Sequence, residues 1–289
     1  MVKKLEEKFL AERRYEDSER EKTNEEKEII GAIIEKLNVF LSQYGAKPLD
    51  IRETHVHILD KSKMSDDLIR HLEGGDVNTS AFYEQDKQIV VVLGWTIKSP
   101  LQFAQVISHE LIHFLAFNAV QIDEKYNDGF VSHRTGLAVR QKNVATPSTR
   151  STYFNDIDEA VTEELTKRFY PQLQDIPPLE NEYKNILKAR EKFSNPDVAA
   201  IRVKEIEAGQ IPSLEITMKD FAYAEVRKKF NELIDKIYEK KKDSFSSREE
   251  VFNIFARAAM TGEVKELATL VESTSGTGTF KKIAQSLSH

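Results

Sequence analysis

The sequence predicts an α+β protein, and three observations carry that prediction. Residues 54–59 and the paired segments 80–84 and 88–93 are short, rich in β-branched and aromatic residues, and bounded by polar turns, as strands are. Long stretches towards both ends place apolar residues at helical spacing with few breakers. Of 289 residues 40% are hydrophobic, and single cores stop growing at about 250–300 residues, so the chain can fill more than one structural unit.

Composition removes several classes of function. With 42 basic against 48 acidic residues the formal net charge is −6, a surface that repels a phosphate backbone, so no nucleic-acid partner is expected. No stretch approaches the roughly 18 apolar residues of a membrane-spanning helix, and the charged N-terminus lacks the apolar region of a secretory signal. A soluble, cytoplasmic protein without a membrane partner is expected. Cysteine is absent, which excludes disulfides, thiolate metal ligands and a cysteine nucleophile.

The elements divide the chain into an N-terminal helical segment (1–44), an α+β core (45–175) and a C-terminal helical region (176–289). Residues 3–44 are helix-friendly, with the strongest apolar stripe at Ile29, Ile30, Ile33, Ile34, Leu37, Phe40 and Leu41. Thr54–Leu59 reads as a half-buried strand whose His55 and His57 share a polar or edge face, with a metal pair as the sharper alternative. Residues 80–84 and 88–93 read as a hairpin closed by Gly94, the second strand being a candidate sheet edge for an extended peptide. Trp95 reads as a packing residue. The triplet Asn78-Thr79-Ser80 fits a glycosylation acceptor, which has no meaning without a secretory signal.

Ser99-Pro100-Leu101-Gln102 starts a helix expected to reach Asn118, with Ser as N-cap and Pro at the first helical position. A loop over 123–129, a strand or hairpin over 130–139 and a polar loop to about 152 follow. Asn155 then caps a helix to about Tyr170. Beyond Pro171, Pro177 and Pro178 the chain reads as almost wholly helical, over 179–194, 216–241 and 248–272, the last with a Ser247–Glu250 capping box and a loose tail after it.

The sharpest motif lies in the helix that begins at Ser99: Ser108-His109-Glu110-Leu111-Ile112-His113. Histidines four residues apart share one helix face, so both imidazoles reach a single ion. Glu110, beside the first, projects next to that ion and can take a proton from a metal-bound water, as metal-assisted hydrolysis requires. A catalytic zinc needs a third protein ligand. Ala116 and Ala119 stand where an extended three-histidine pattern would need Gly and His, and no cysteine exists. A downstream carboxylate remains. In Asp156-Ile157-Asp158-Glu159-Ala160-Val161-Thr162-Glu163, Glu159 and Glu163 lie one turn apart. Glu159 is the best ligand candidate, with Asp156 and Asp158 as competitors, and Glu163 can brace a ligand histidine.

His-Glu-x-x-His followed by Asp-Glu-Ala-Val-Thr-Glu resembles the gluzincins, the thermolysin-like zincin metallopeptidases. The resemblance spans roughly residues 80–170. It implies a zincin-like core, with a small mostly antiparallel sheet, an active-site helix and a third-ligand helix. Zn2+ is the implied cofactor, held by His109, His113 and Glu159, with Glu110 as general base and Glu163 in the outer shell. Two departures stand out: the 46-residue gap from His113 to Glu159 exceeds that of thermolysin, and Asp158 replaces the Asn that usually precedes the ligand Glu. His133 and Tyr153, between the two helices, are the candidates for stabilising an oxyanion. The expected activity is hydrolysis of a peptide or protein substrate. The alternative is a catalytically silent zincin-fold scaffold that binds partners, for which the stripe Tyr223, Val226, Phe230, Leu233, Ile234, Ile237 and Tyr238 is a candidate surface, although such spacing more often marks core.

Overall fold

The computed structural model describes residues 15–73, 80–123, 130–143, 150–208 and 211–285. Expectations for residues 1–14, Asn78 and Thr79, the loops over 124–129 and 144–149, and 286–289 lie outside these. In chain order the first elements are α1 (Asn24–Ser42), β1 (Val56–Leu59), α2 (Asp66–Glu73), β2 (Ala81–Glu84), β3 (Ile89–Leu93) and α3 (Pro100–Leu115). Next come β4 (Asn118–Asp123), β5 (Phe130–Thr135), β6 (Ala138–Asn143), β7 (Arg150–Tyr153) and α4 (Asn155–Phe169). The remainder is α5 (Glu180–Phe193), β8 (Val198–Ala208), β9 (Ile211–Asp220), α6 (Ala224–Lys240), α7 (Arg248–Thr261), α8 (Lys265–Ser275) and α9 (Thr279–Gln285). The class is α+β. No helix among the described residues is long and apolar enough to cross a membrane.

The chain forms two compact units. One comprises Met1–Leu37, Asp50–Leu111 and Phe169–Phe221; the other comprises Asn38–Leu49, Ile112–Arg168 and Ala222–His289.

In the first unit a three-stranded sheet has the order β1-β3-β2, with β1 parallel and β2 antiparallel to β3. Leu59, Val91 and Leu93 pack with Tyr15, Met64, Leu68 and Leu72 on one face, while Val56, Ile58, Val90 and Val92 are buried on the other. Burial on both faces explains the unbroken apolar run Ile89–Leu93. That run is the middle strand, so it is not the sheet edge expected of it; β1 occupies the side an added strand would need. Within this sheet the outer side of β1 is bridged by Glu19, and β2 is the other edge strand. Trp95 packs against the same core, as expected.

The stripe of α1 is buried as its spacing predicts, from Ile29 through Leu41. Among the described residues this helix runs from Asn24, so residues 15–23 are not part of it. Thr23 forms a capping box with Glu26, each backbone N–H donating to the other's side chain at 2.8 and 3.1 Å. Before it, Glu16–Ser18 make a 3₁₀ turn and Glu19 bridges to Leu59.

The largest departure is the β8–β9 hairpin, in a region read as helical. Its strands pair antiparallel from Val198 opposite Asp220 to Ala208 opposite Ile211. Ile201 and Val203, and Leu214, Ile216 and Met218, have the strand period, and Gly209 and Pro212 stand between the two runs in the sequence. The root is anchored: the buried Tyr170 hydroxyl donates to Ala199 O at 2.6 Å and Arg190 Nε to Val198 O at 2.9 Å.

The second unit holds an antiparallel sheet in the order β4-β5-β6-β7. It makes a hairpin of residues 130–139 as expected, and turns 118–123 and 150–153 into strands where helix end and loops were read. Helix α3 stops at Leu115 rather than Asn118, because the Asn118 amide donates to the carbonyls of Phe114 (3.2 Å) and Ala116 (2.8 Å) and its chain opens β4.

Helix α6 begins at Ala224, after Tyr223 in the left-handed region (φ 54°), not at 216. The expected helix 248–272 is two helices, broken at Gly262 (φ 80°). Its start is held by Ser246, whose backbone N–H and hydroxyl donate to Glu250, rather than by the Ser247 side chain. Residues 279–285 are helical rather than loose, since Glu272 accepts the N–H groups of Gly278 and Phe280 and the Phe280 ring packs 4.8 Å from Phe154. Phe230, Ile234 and Ile237 of α6 are buried, Phe230 against Phe252 and Phe255. These three positions of the stripe are core, whereas Val226, Leu233 and Tyr238 are half-buried and Tyr223 is exposed.

Candidate metal centre

Helix α3 begins as its sequence demands. Ser99 Oγ accepts the Gln102 N–H (3.2 Å), and Gln102 Oε1 accepts the Lys98 N–H (2.9 Å). Past Pro100 the helix is buried nearly all round: Leu101, Phe103, Ala104, Ile107, Leu111, Ile112, Phe114 and Leu115, and also Ser108, His109 and His113. The exceptions are Val106 and Glu110, one turn apart and half-buried. Glu110 therefore stands on the single line of α3 that is incompletely covered.

Helix α4 follows Phe154, which lies in the left-handed region (φ 58°). Asp156 and Asp158 sit in its first turn, where the helix dipole favours negative charge. Ile157, Ala160, Val161 and Leu165 are buried along one side and fix the helix's rotation.

The two helices bring together the three residues expected as ligands. One donor atom each of His109, His113 and Glu159 lies within 4.8 Å of the other two. His113 Nε2 is 3.4 Å from Glu159 Oε2. Two atoms about 2.0–2.2 Å from one tetrahedral ion are themselves about 3.4 Å apart, so this pair has the separation a shared zinc requires. The donor set, two imidazoles and one carboxylate, suits that ion. His109 and His113 are each 7% exposed, so their rings are held in place by packing.

Of the competitors for the third position, Asp158 is buried and otherwise engaged. Its Oδ1 accepts the Leu137 N–H at 2.7 Å, and its Oδ2 lies 3.4 Å from His113 Nδ1, the ring nitrogen away from Glu159. Asp156 is half-buried and outside the three-residue group. Glu163, 1% exposed, accepts the Ala222 N–H at Oε1 (2.7 Å). Its neighbour Glu164 pairs with Arg168 (2.9 Å) and with Arg227 (3.3 Å).

The two oxyanion candidates stand on opposite faces of the second sheet. His133 is opposite Val120 and Arg140, and Arg140 opposite Thr152; Tyr153 is opposite Val139, itself opposite Arg134. Residues directly opposite share a face, so one sheet cannot aim both at one site. The Arg134 guanidinium donates to Gly136 O (2.9 Å) and Gly262 O (3.0 Å) over the Phe117 ring. Burial holds its pKa below the ordinary value, with the Asp158 charge opposing. His57 pairs with Glu19 (2.8 Å) and His55 Nδ1 accepts the Arg52 N–H (3.1 Å), so the two make no metal pair.

Sequence reasoning missed Asp158 as a partner of His113 and Gly136 as the residue that lets it approach. The signal was the acidic residue immediately before Glu159. In comparisons with known proteins, no family model, no curated protein and no solved structure matches this chain.

Proposed function

We propose that this protein is a zinc-dependent metallopeptidase with a gluzincin-like centre. The carrying observation is the convergence of His109, His113 and Glu159, with His113 Nε2 and Glu159 Oε2 at 3.4 Å; Glu110 follows His109 in the sequence. These three side chains would hold the ion. Zinc bound there supplies Lewis acidity and a water acidic enough to lose its proton near neutral pH. Glu110, next to His109 in sequence and half-buried on the least covered line of α3, would be the general base that accepts the proton. The same carboxyl group then returns it to the leaving amine nitrogen. The burial of His109 and His113 keeps the ligand face rigid, so little is lost to reorganisation during reaction.

Pairing of an extended peptide with β2, an edge strand of the three-stranded sheet, is part of the same proposal. Main-chain pairing there orients a substrate without dictating its side chains. The intact Glu110 favours turnover over a silent scaffold, since a purely structural site has no use for a base.

The test is elemental analysis of purified protein together with hydrolysis of a mixed peptide library. One equivalent of zinc and peptide cleavage abolished by a chelator are expected. Stoichiometric zinc without cleavage would identify the scaffold, and absence of bound zinc even after reconstitution would reject the centre.

A further inference from the structure

We infer that Asp158 is a positioning residue that orients His113 for metal, and that the β5–β6 turn at Gly136-Leu137 is what sets Asp158. The inference rests on the metal centre proposed above and adds the device that aims one of its ligands. The two oxygens of Asp158 do different work. Oδ1 is taken by the Leu137 N–H at 2.7 Å, which leaves Oδ2 to face His113 Nδ1 at 3.4 Å. A carboxylate facing Nδ1 favours the tautomer with its proton there, which leaves the lone pair of Nε2 on the side of Glu159. With Asp158 3% exposed and His113 7%, water competes little for either group.

The turn is shaped for this contact. Gly136 has φ 57°, and a Cβ built there would lie 2.3 Å from Asp158 Oδ1. Any side chain at 136 would displace the carboxylate or the turn. Arg134 ties the turn down by donating to Gly136 O at 2.9 Å and to Gly262 O at 3.0 Å. A chain of contacts therefore runs from the hairpin through Asp158 to His113 Nε2. Asp158 neither ligates nor touches substrate; it acts through His113.

The experiment measures zinc affinity by chelator competition on the full-length wild type, Asp158→Asn, Asp158→Ala, Gly136→Ala and the double variant Gly136→Ala/Asp158→Ala. Circular dichroism of the metal-free forms checks folding, and Co2+ absorption spectra report coordination. Asp158→Ala should weaken zinc about 10–100-fold. Asp158→Asn, nearly isosteric and able to keep the Leu137 bond, should lose less and still fold. Gly136→Ala should weaken zinc, and adding it to Asp158→Ala should cost nothing further, because both act through one carboxylate. A merely structural role would lower folding stability and leave zinc affinity and the Co2+ spectrum of the folded variants unchanged. Wild type that binds zinc while folded Asp158→Asn binds equally well and shows the same spectrum would overturn the role of Asp158 alone. Additive losses in the double variant would overturn the turn as its anchor. Wild type that binds no zinc would overturn the metal centre and this inference together.

Discussion

Glu110→Gln separates the base from the ligands. Gln is nearly isosteric but cannot take a proton, so the variant should hold zinc with wild-type affinity and lose about 10²–10⁴-fold in peptide turnover. Zinc loss in this variant would make Glu110 a ligand instead. Glu159 and Glu163 of α4 should differ in what their loss removes. Glu159→Ala leaves two histidines and should lower zinc affinity strongly. Glu163→Ala removes the acceptor of the Ala222 N–H, which Glu163, 1% exposed, holds at 2.7 Å. Its effect on folding should be about 1–3 kcal/mol, seen as a lowered melting temperature of the metal-free protein. Equal zinc affinity in Glu159→Ala and wild type would remove Glu159 from the centre.

Between elements, the junction of α7 and α8 turns on one glycine. Gly262 has φ 80°, and a Cβ there would lie 2.7 Å from the Phe117 ring. Gly262→Ala therefore meets both a left-handed backbone and a ring hemmed in by Arg134, whose guanidinium lies 4.8 Å from its centroid. Destabilisation of about 1–3 kcal/mol is expected in chemical denaturation, against a near-neutral or slightly stabilising result for Gly31→Ala in α1, where nothing lies within 4 Å and the backbone is helical. The tie between the 3₁₀ turn and β1 is pH-dependent. Burial works against the charge of Glu19, yet hydrogen bonds with Lys22 and His57 prevail and hold its carboxyl below the ordinary 4.5. A depressed folded value means that the stabilisation is complete above the ordinary value and lost as pH falls through the folded one. Melting temperatures of wild type and Glu19→Gln should differ at neutral pH and converge in acid well below 4.5. A constant difference over that range would show that the Glu19 charge contributes nothing.

At the scale of the whole molecule, the C-terminal helices belong to the same compact unit as α4. Ala222 satisfies Glu163, Arg227 and Asn231 satisfy Glu164, and Glu249 pairs with Arg168 at 3.0 Å. Deleting residues 222–289 strips these partners from buried carboxylates, at about 3–5 kcal/mol for a broken buried pair. The truncated chain should lose cooperative unfolding and zinc binding together, not merely a partner interaction; a truncated chain that still binds zinc cooperatively would contradict this. Of the candidate metal group, the histidine pair was legible in the sequence because its spacing is local, and the approach of Glu159 is a tertiary finding. His109, Glu110 and His113 fall on one helix by spacing alone, and Glu159 is the carboxylate that fits beside them. Capping at Ser99 and the buried stripes of α1 and α6 were legible for the same reason: each depends on residues within a few turns of one another. The β8–β9 hairpin, the strands at 118–123 and 150–153, the middle position of β3 and the service of Asp158 to His113 were not. Strand order, burial on a second face and the oxygen a carboxylate turns to a ring are set by groups far apart in the chain. Local period and composition carry no term for those contacts, so only the tertiary structure decided them.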